Sequence, residues 1–303
     1  MQIRDWLPFL GMPIMLFAVQ IIVIVLIRPM QAAGLVAFED PESVANPLIF
    51  IGILLAFTLF LLLLIRVGGR RFISVLIGAS IFLTFLYIFG ALFLRALGPT
   101  DAAAVGTLAV AGAATALLYL YPEWYVVDIL GVLLSAGIAS IFGVSLAILP
   151  VLVLLVLLAV YDAISVYRTK HMITLAEGVL ATKAPIMVVV PKRADYSFRR
   201  ESISMGEGEE RGAFVMGMGD LIMPSILVAS SHVFAGAPAV VGALSAPTIG
   251  AMAGSLAGLA VLLYVVNKGK PQAGLPFLNG GAIAGFIIGA ALAGSFSWLP
   301  FGM

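Results

Sequence analysis

Long, nearly uninterrupted runs of apolar residues recur along most of the chain. Runs of about 17–25 apolar residues are long enough to cross the hydrocarbon core of a bilayer as helices. The pattern predicts nine such helices, at residues 8–27, 47–65, 72–94, 102–121, 126–143, 145–167, 213–235, 239–266 and 276–298. We therefore expect an all-α polytopic membrane protein with nine transmembrane helices.

One long polar segment, residues 168–212, interrupts the apolar pattern. It contains the charged and glycine-containing stretch 206–212, whose composition is typical of a flexible linker. The segment predicts three units: an N-terminal block of six helices (1–167), a linker (168–212) and a C-terminal block of three helices (213–303).

The positive charges predict an orientation for these helices. Nine spans place the loops alternately on two sides of the membrane, and of the 16 Lys and Arg residues only Arg28 and Arg95 fall on the second side. Because cytoplasmic loops are enriched in Lys and Arg, the N-terminus and the linker are expected in the cytoplasm and the C-terminus outside. One helix more or fewer would scramble this asymmetry, so the charges also favour a count of nine.

Composition agrees with a membrane location and narrows the chemistry. The chain is 62% hydrophobic and 10% charged, with a mean hydropathy of +1.18, whereas a soluble domain carries about 25% charged residues. We expect an integral multi-pass protein, in the cell membrane if its source is prokaryotic, with the lipid bilayer as its surroundings and no nucleic-acid partner. The absence of cysteine excludes disulfides, thiolate catalysis and cysteine-bound metals.

Two acidic residues fall well inside predicted helices: Asp162 in the sixth and Asp220 in the seventh. An ionisable group inside the bilayer costs about 2.5–3.5 kcal/mol on insertion scales, so it usually has a function. These two helices run in opposite directions, and a rise of 1.5 Å per residue places the aspartates about 9 and 13 Å below the cytoplasmic surface. The sequence thus predicts two carboxylates at similar depth. Asp128, nearer a helix end, is expected at the cytoplasmic interface.

A pair of buried carboxylates can serve several functions. Two such groups a few ångströms apart share one proton, so that one activates water as a base and the other acts as an acid. This is the chemistry of aspartic proteolysis. A proton- or cation-coupled transporter or leak channel, or a purely structural role, fits the charge and depth equally well. No inverted repeat is visible between the two halves of the chain, which disfavours the transporter.

The residues around the two aspartates add detail. Asp220 ends the stretch Gly217-Met218-Gly219-Asp220, where the glycines would permit close helix approach, and Asp162 follows Tyr161. The ninth helix opens with Ala273-Gly274-Leu275-Pro276 on the side of both aspartates. Glycines also recur every fourth residue in the last two helices, which predicts tight packing between them; they are Gly250, Gly254, Gly258, Gly281, Gly285 and Gly289.

Tyr161-Asp162, the Gly217–Asp220 stretch and the Leu275-Pro276 opening, in this order, resemble the presenilin and signal peptide peptidase family of GxGD intramembrane aspartyl proteases. Pro276 and the expected cytoplasmic N-terminus are more similar to presenilins than to signal peptide peptidases. The chain as a whole resembles a prokaryotic, particularly archaeal, presenilin homologue. One motif departs from the pattern: the family usually has Pro-Ala-Leu where this chain reads Ala273-Gly274-Leu275.

The resemblance implies an endopeptidase with Asp162 and Asp220 as catalytic residues. Tyr161, Gly217–Gly219 and Ala273–Pro276 would shape the active site. The resemblance also implies that the substrates are transmembrane-helix proteins, whose helix must unwind to expose the scissile bond. It implies no cofactor. Nothing in the sequence requires accessory subunits, and the sequence is compatible with a homo-oligomer.

A β-prone run at Pro185–Pro191 stands in the linker with no predicted sheet to join. If the chain is such a protease, Met187, Val188, Val189 and Val190 are candidates for pairing with the unwound substrate as an added strand. An ordinary loop on the membrane surface is the alternative.

Other membrane proteases fit less well. A zinc protease is disfavoured because there is no HExxH motif and His171 and His232 are far apart. No GxSx context suits a rhomboid-like serine protease. Prepilin peptidases also use GxGD, but a Lys is expected soon after that motif, and Asp220 is followed by Leu221-Ile222-Met223-Pro224.

Overall fold

The computed structural model describes residues 7–67, 70–169, 187–191, 196–197, 213–267 and 272–299. Nine α-helices lie in this part of the chain: α1 (Leu7–Ala32), α2 (Ala45–Arg66), α3 (Arg70–Leu97), α4 (Asp101–Leu120), α5 (Trp124–Ser145), α6 (Ile148–Ile164), α7 (Met218–Phe234), α8 (Ala246–Val266) and α9 (Leu275–Ala293). Eight are long and apolar enough to span a membrane, and α7 is a shorter apolar helix. The prediction of nine helices is confirmed, and the protein is an integral multi-pass membrane protein.

Most of the predicted linker, including His171, lies outside the described residues. The division of the chain into 1–167, 168–212 and 213–303 therefore stays a prediction, as does the side of the membrane on which each terminus lies. A π-helical turn, Ser165–Thr169, continues α6, which places the end of this helical segment close to the predicted residue 167. Such turns are rare and occur frequently at functional sites.

A two-stranded antiparallel sheet corrects two predictions. Strand β1 (Met187–Pro191) pairs with strand β2 (Ala213–Gly217), with Val189 opposite Val215. The β-prone run therefore does have a sheet to join, and residues 213–217 are a strand rather than the first turn of the seventh helix. Strand β1 lies inside the predicted linker and β2 directly follows it. An apolar segment as short as β2 reads equally well as helix or strand.

The last two helices begin or end differently from the prediction. A second hairpin, β3 (Ala239–Val241) and β4 (Leu244–Ser245), occupies the expected start of the eighth span. Helix α8 starts only at Ala246, so Pro247 lies in its first turn, where proline is well tolerated. Helix α9 ends at Ala293 rather than near 298, because Gly294 adopts a left-handed conformation with φ 63° and caps it.

Close backbone contact joins α8 and α9, as the glycine repeats predicted. A Cβ atom on Gly254 would collide with the carbonyl group of Gly281, and one on Gly250 with that of Gly285. Helix α5 is the most buried of the spans and packs against α1, α3 and α7. The core thus surrounds α5, while the outer face of α2 is almost fully exposed and suits contact with lipid.

Candidate active site

Asp162 lies in the last turn of α6 and is buried, with 8% of its surface exposed. Its Oδ2 atom accepts a hydrogen bond of 3.1 Å from the backbone N–H of Leu275, the first residue of α9. The first amides of a helix have no partner within the helix, and its N-terminus attracts negative charge. The start of α9 therefore binds and orients the Asp162 carboxylate.

Asp220 lies in the first turn of α7, directly after β2, and is half-buried. Its carboxyl group packs on Gly274: a Cβ atom there would lie 3.0 and 3.1 Å from the two oxygens. The carboxyl groups of Asp220 and Asp162 also interact electrostatically. Both aspartates therefore meet at the backbone of Gly274 and Leu275. The predicted depth of Asp220 is wrong in one respect, because the five residues before α7 are extended rather than helical.

Further polar contacts fasten α6 to the segment that opens α9. The hydroxyl of Tyr167 donates to Oε1 of Gln272 at 2.7 Å and accepts from the N–H of Ala273 at 3.4 Å. Deeper in the membrane, Nδ2 of Asn279 donates to the carbonyl of Leu155 at 3.1 Å. With the bond to Asp162, these contacts align two antiparallel segments along about three turns. Sequence reasoning missed them, although Asn279 is visible as a polar residue in an apolar span.

The other predicted site residues occupy different surroundings. Tyr161 is half-buried next to Asp162, and Met218 is buried against α5, where its side chain fills the space beside Gly131. Among the described residues, a side chain at Gly217 or Gly219 would meet open space. The expectation that these two glycines permit close helix packing is therefore wrong. They leave room next to Asp220 instead.

The start of α9 includes the remaining predicted residues. Ala273 is fully buried, while Gly274, Leu275 and Pro276 are half-buried in the first turn. Proline in this turn costs no hydrogen bond, since the amide it lacks would have had no helical partner. The structure thus brings together Asp162, Asp220, Gly274 and Leu275.

Asp128 faces the interior of the protein, and its expected position at the cytoplasmic interface stays a prediction. It is buried in α5 with 5% of its surface exposed, and its Oδ1 accepts a hydrogen bond of 2.7 Å from the N–H of Val189 in β1. In the part of the chain that the structure describes, no cluster of three His, Asp or Glu side chains could bind a metal ion.

Comparison with known families agrees with this geometry. The model of the family described as signal-peptide peptidase, presenilin aspartyl protease matches residues 13–295, which is nearly the whole chain. The chain belongs to this family. A comparison with curated proteins gave no match.

Two solved structures, both of presenilin family intramembrane aspartate proteases, are similar to this chain. One, in space group C222, is 67% identical and covers 94% of this chain and 100% of its own, with a TM-score of 0.72. The other, in space group P2, is 68% identical and covers 95% of this chain and 100% of its own, again with a TM-score of 0.72. The alternative of a transporter or channel finds no support in these relatives.

The contact between Gly274 and Asp220 predicts how this presenilin relative responds to a larger residue. Gly274→Ala restores the residue usual in the family, and a shift of a few tenths of an ångström in the carboxyl group relieves the contact of 3.0–3.2 Å. We expect proteolytic activity within about threefold of wild type. Gly274→Val crowds both carboxyl oxygens, and displacement of a reacting group by about 1 Å can cost on the order of a hundredfold.

Initial rates on a membrane-helix reporter, with the melting temperature of each variant, measure this difference. Because Gly274 has right-handed helical backbone angles, neither side chain strains the backbone. Equal activity of the Ala and Val variants would show that Gly274 does not limit the position of Asp220.

Proposed function

We propose that Asp162 and Asp220 are the catalytic dyad of this aspartyl protease and that it is an endopeptidase of the GxGD type. The observation that supports the proposal is the meeting of both carboxyl groups at Gly274 and Leu275. One carboxylate takes a proton from the attacking water while the other carboxyl group gives its proton to the scissile carbonyl. The first group then delivers the water proton to the leaving nitrogen, and the second recovers its proton from the gem-diol as the C–N bond breaks. Tyr161, Gly217 and Gly219 line the site, and Met218 supports it from its contact with α5. All of these residues belong to one chain.

The substrate is a transmembrane helix of another membrane protein. In such a helix each peptide carbonyl is already bonded within the helix, so the segment to be cut must unwind before water can attack. Unwinding leaves N–H and C=O groups without partners, which costs several kcal/mol per group in the absence of water. An exposed strand edge beside the dyad removes this cost by pairing with the unwound segment.

The pairing within the sheet favours one edge for this addition. The Val189 N–H points to Asp128 and therefore away from β2. In an antiparallel sheet this makes Val189 and Val215 a non-hydrogen-bonded pair, so the hydrogen bonds between the strands are made by the pairs on either side of it. The outer edge of β1 is thus occupied by Asp128 at its centre and ends in Pro191, which has no N–H. The predicted pairing of substrate with Met187–Val190 is therefore less favourable than pairing with β2.

The outer edge of β2 offers the N–H and C=O groups of Val215; those of Ala213 face the same way, but this residue is buried. No backbone hydrogen bond between described residues reaches them. Strand β2 continues directly into the turn that contains Asp220. A substrate strand added here would therefore pass next to the dyad, in the space that Gly217 and Gly219 leave open.

Val215→Pro tests this edge. Proline removes the outward N–H but none of the bonds to β1, so we expect the fold to persist while kcat/KM falls about tenfold or more. Val215→Thr keeps the N–H and the β-branched shape and is the matched control, with activity within about threefold. A Val215→Pro enzyme as efficient as wild type would rule out pairing along β2.

A cleavage assay with identification of products tests the proposed function as a whole. Purified protein in liposomes is incubated with a single transmembrane helix that carries soluble tags at both ends, and the products are analysed by mass spectrometry. We expect two fragments whose new ends lie within the apolar segment. If the intact reporter persists while the protein conducts ions across the liposome membrane, the protease assignment is wrong.

A further inference from the structure

A third buried carboxyl group, that of Asp128, lies in the first two turns of α5 and is separate from the proposed dyad. One of its oxygens accepts the Val189 N–H, while the other, Oδ2, is buried and has no hydrogen-bond partner among the described residues. Burying an incompletely paired carboxyl group is unfavourable. Stability alone therefore does not explain why an aspartate occupies this position.

The same face of α5 supports the sheet. Gly131, one turn after Asp128, lies against the Met218 side chain and near a methyl group of Val188. Val188 and Val189 are fully buried, and Val190 is 5% exposed. The first turns of α5 thus contact β1 by a hydrogen bond and by packing, and contact the first residue of α7 directly.

These contacts connect α5 to the active site through the backbone. The Asp128 bond fixes β1, β1 fixes β2 by pairing, and β2 passes without a loop into the first turn of α7, which contains Asp220. Because the pairing register is set along β1, a shift of β1 would displace the edge of β2 and the start of α7 together.

We propose that Asp128 is a positioning residue: its bond to Val189 fixes the β1–β2 sheet on α5 and thereby sets the position of Asp220 and of the substrate strand relative to the dyad. The proposal rests on the proposed function of the dyad. It assigns Asp128 no contact with substrate or with the reacting water.

Asp128→Leu keeps the branching at Cγ and the number of side-chain heavy atoms but removes the acceptor, whereas Asp128→Asn keeps an oxygen that can accept the Val189 N–H. For Asp128→Leu we expect kcat, corrected for the active fraction by titration with a tight-binding transition-state analogue, to fall about tenfold. The reporter should also be cut at a wider set of positions. Asp128→Asn should restore kcat to within about threefold and the original cut positions. Ser140→Ala is the control; it removes a buried hydroxyl on α5 that, among the described residues, bonds the Gly137 carbonyl of its own helix.

A residue that serves only stability would lower the melting temperature or the active fraction and leave kcat and the cut positions of folded enzyme unchanged. That result would overturn the proposal, as would an Asp128→Asn enzyme as impaired as the Leu variant. If Asp128→Leu does not fold, Val189→Pro, which removes the donor, replaces it with the same expectations.

Hydrogen–deuterium exchange of residues 187–191 and 213–217 separates this proposal from the proposed function. Exchange should accelerate in both strands for Asp128→Leu and stay as in wild type for Asp128→Asn, whether or not the protein cleaves the reporter. If wild type cuts nothing, the protease assignment fails. Unchanged exchange in Asp128→Leu shows that Asp128 does not fix the sheet.

Discussion

Substitution of either Asp162 or Asp220 by Asn abolishes peptide cleavage, with an expected loss in kcat of at least about a thousandfold. Asn has nearly the same volume, and its carbonyl oxygen can still accept the Leu275 N–H that binds Asp162. It cannot take a proton from water or deliver one to the leaving nitrogen. The fold should therefore persist while the chemistry stops.

Cleavage rates on the tagged transmembrane reporter measure the effect, with melting temperatures recorded in parallel. Because the two carboxyl groups act as one unit, the double variant should lose no more activity than either single variant. Asp101→Asn, which changes an exposed carboxylate at the start of α4, is the matched control and should cleave like wild type. A single variant that keeps a tenth of the activity would contradict the dyad.

Gly254→Ala should destabilise the protein by about 2–3 kcal/mol, because the added methyl group forces apart two helices whose backbones touch. The new Cβ would collide with the Gly281 carbonyl, which is backbone and cannot move aside as a side chain would. We expect the melting temperature to fall by about 5–10 °C. Activity at the original temperature should fall as well, since α9 provides the amide that binds Asp162.

Thermal unfolding of the purified protein measures the shift, and Gly52→Ala is the matched control. Gly52 lies in α2, and a Cβ atom there would meet no other atom within 4 Å. In this position alanine favours the helix by about 0.8–1.0 kcal/mol relative to glycine, so stability should stay equal or rise slightly. Equal melting temperatures for the two variants would mean that the α8–α9 contact does not require glycine.

Much of the architecture was visible in the chain because lipid imposes a strict rule on sequence. Apolar runs long enough to cross a bilayer have to be helices there, and the nine runs correspond to nine helices. The glycine repeats were equally readable, since helices approach closely only where side chains are absent. Asp162 and Asp220 stood out because carboxylates are rare and costly inside an apolar run.

Several of the errors share a cause, which is that they concern contacts between distant segments. Residues 213–217 are as apolar as a helix start, and only their pairing with 187–191 makes them a strand. The burial of Asp128 under β1 was not anticipated, because its position near a helix end says nothing about Val189, which lies 61 residues away along the chain. Likewise, no local pattern shows that the first amide of α9 faces Asp162.

The sequence by itself determined the class of protein, the number of helices, the two candidate catalytic aspartates and the glycine contact between the last two helices. These features follow from composition and short-range periodicity. Both are easy to interpret in a membrane protein, because the hydrocarbon core of the bilayer allows only helices in apolar spans and makes charged residues there rare. Only the tertiary structure decided that Gly274 and Leu275 bring the aspartates together, that a sheet leads into Asp220 and that Asp128 accepts a hydrogen bond from this sheet. Each of these depends on which backbone N–H meets which carboxylate, and that is settled when the helices pack.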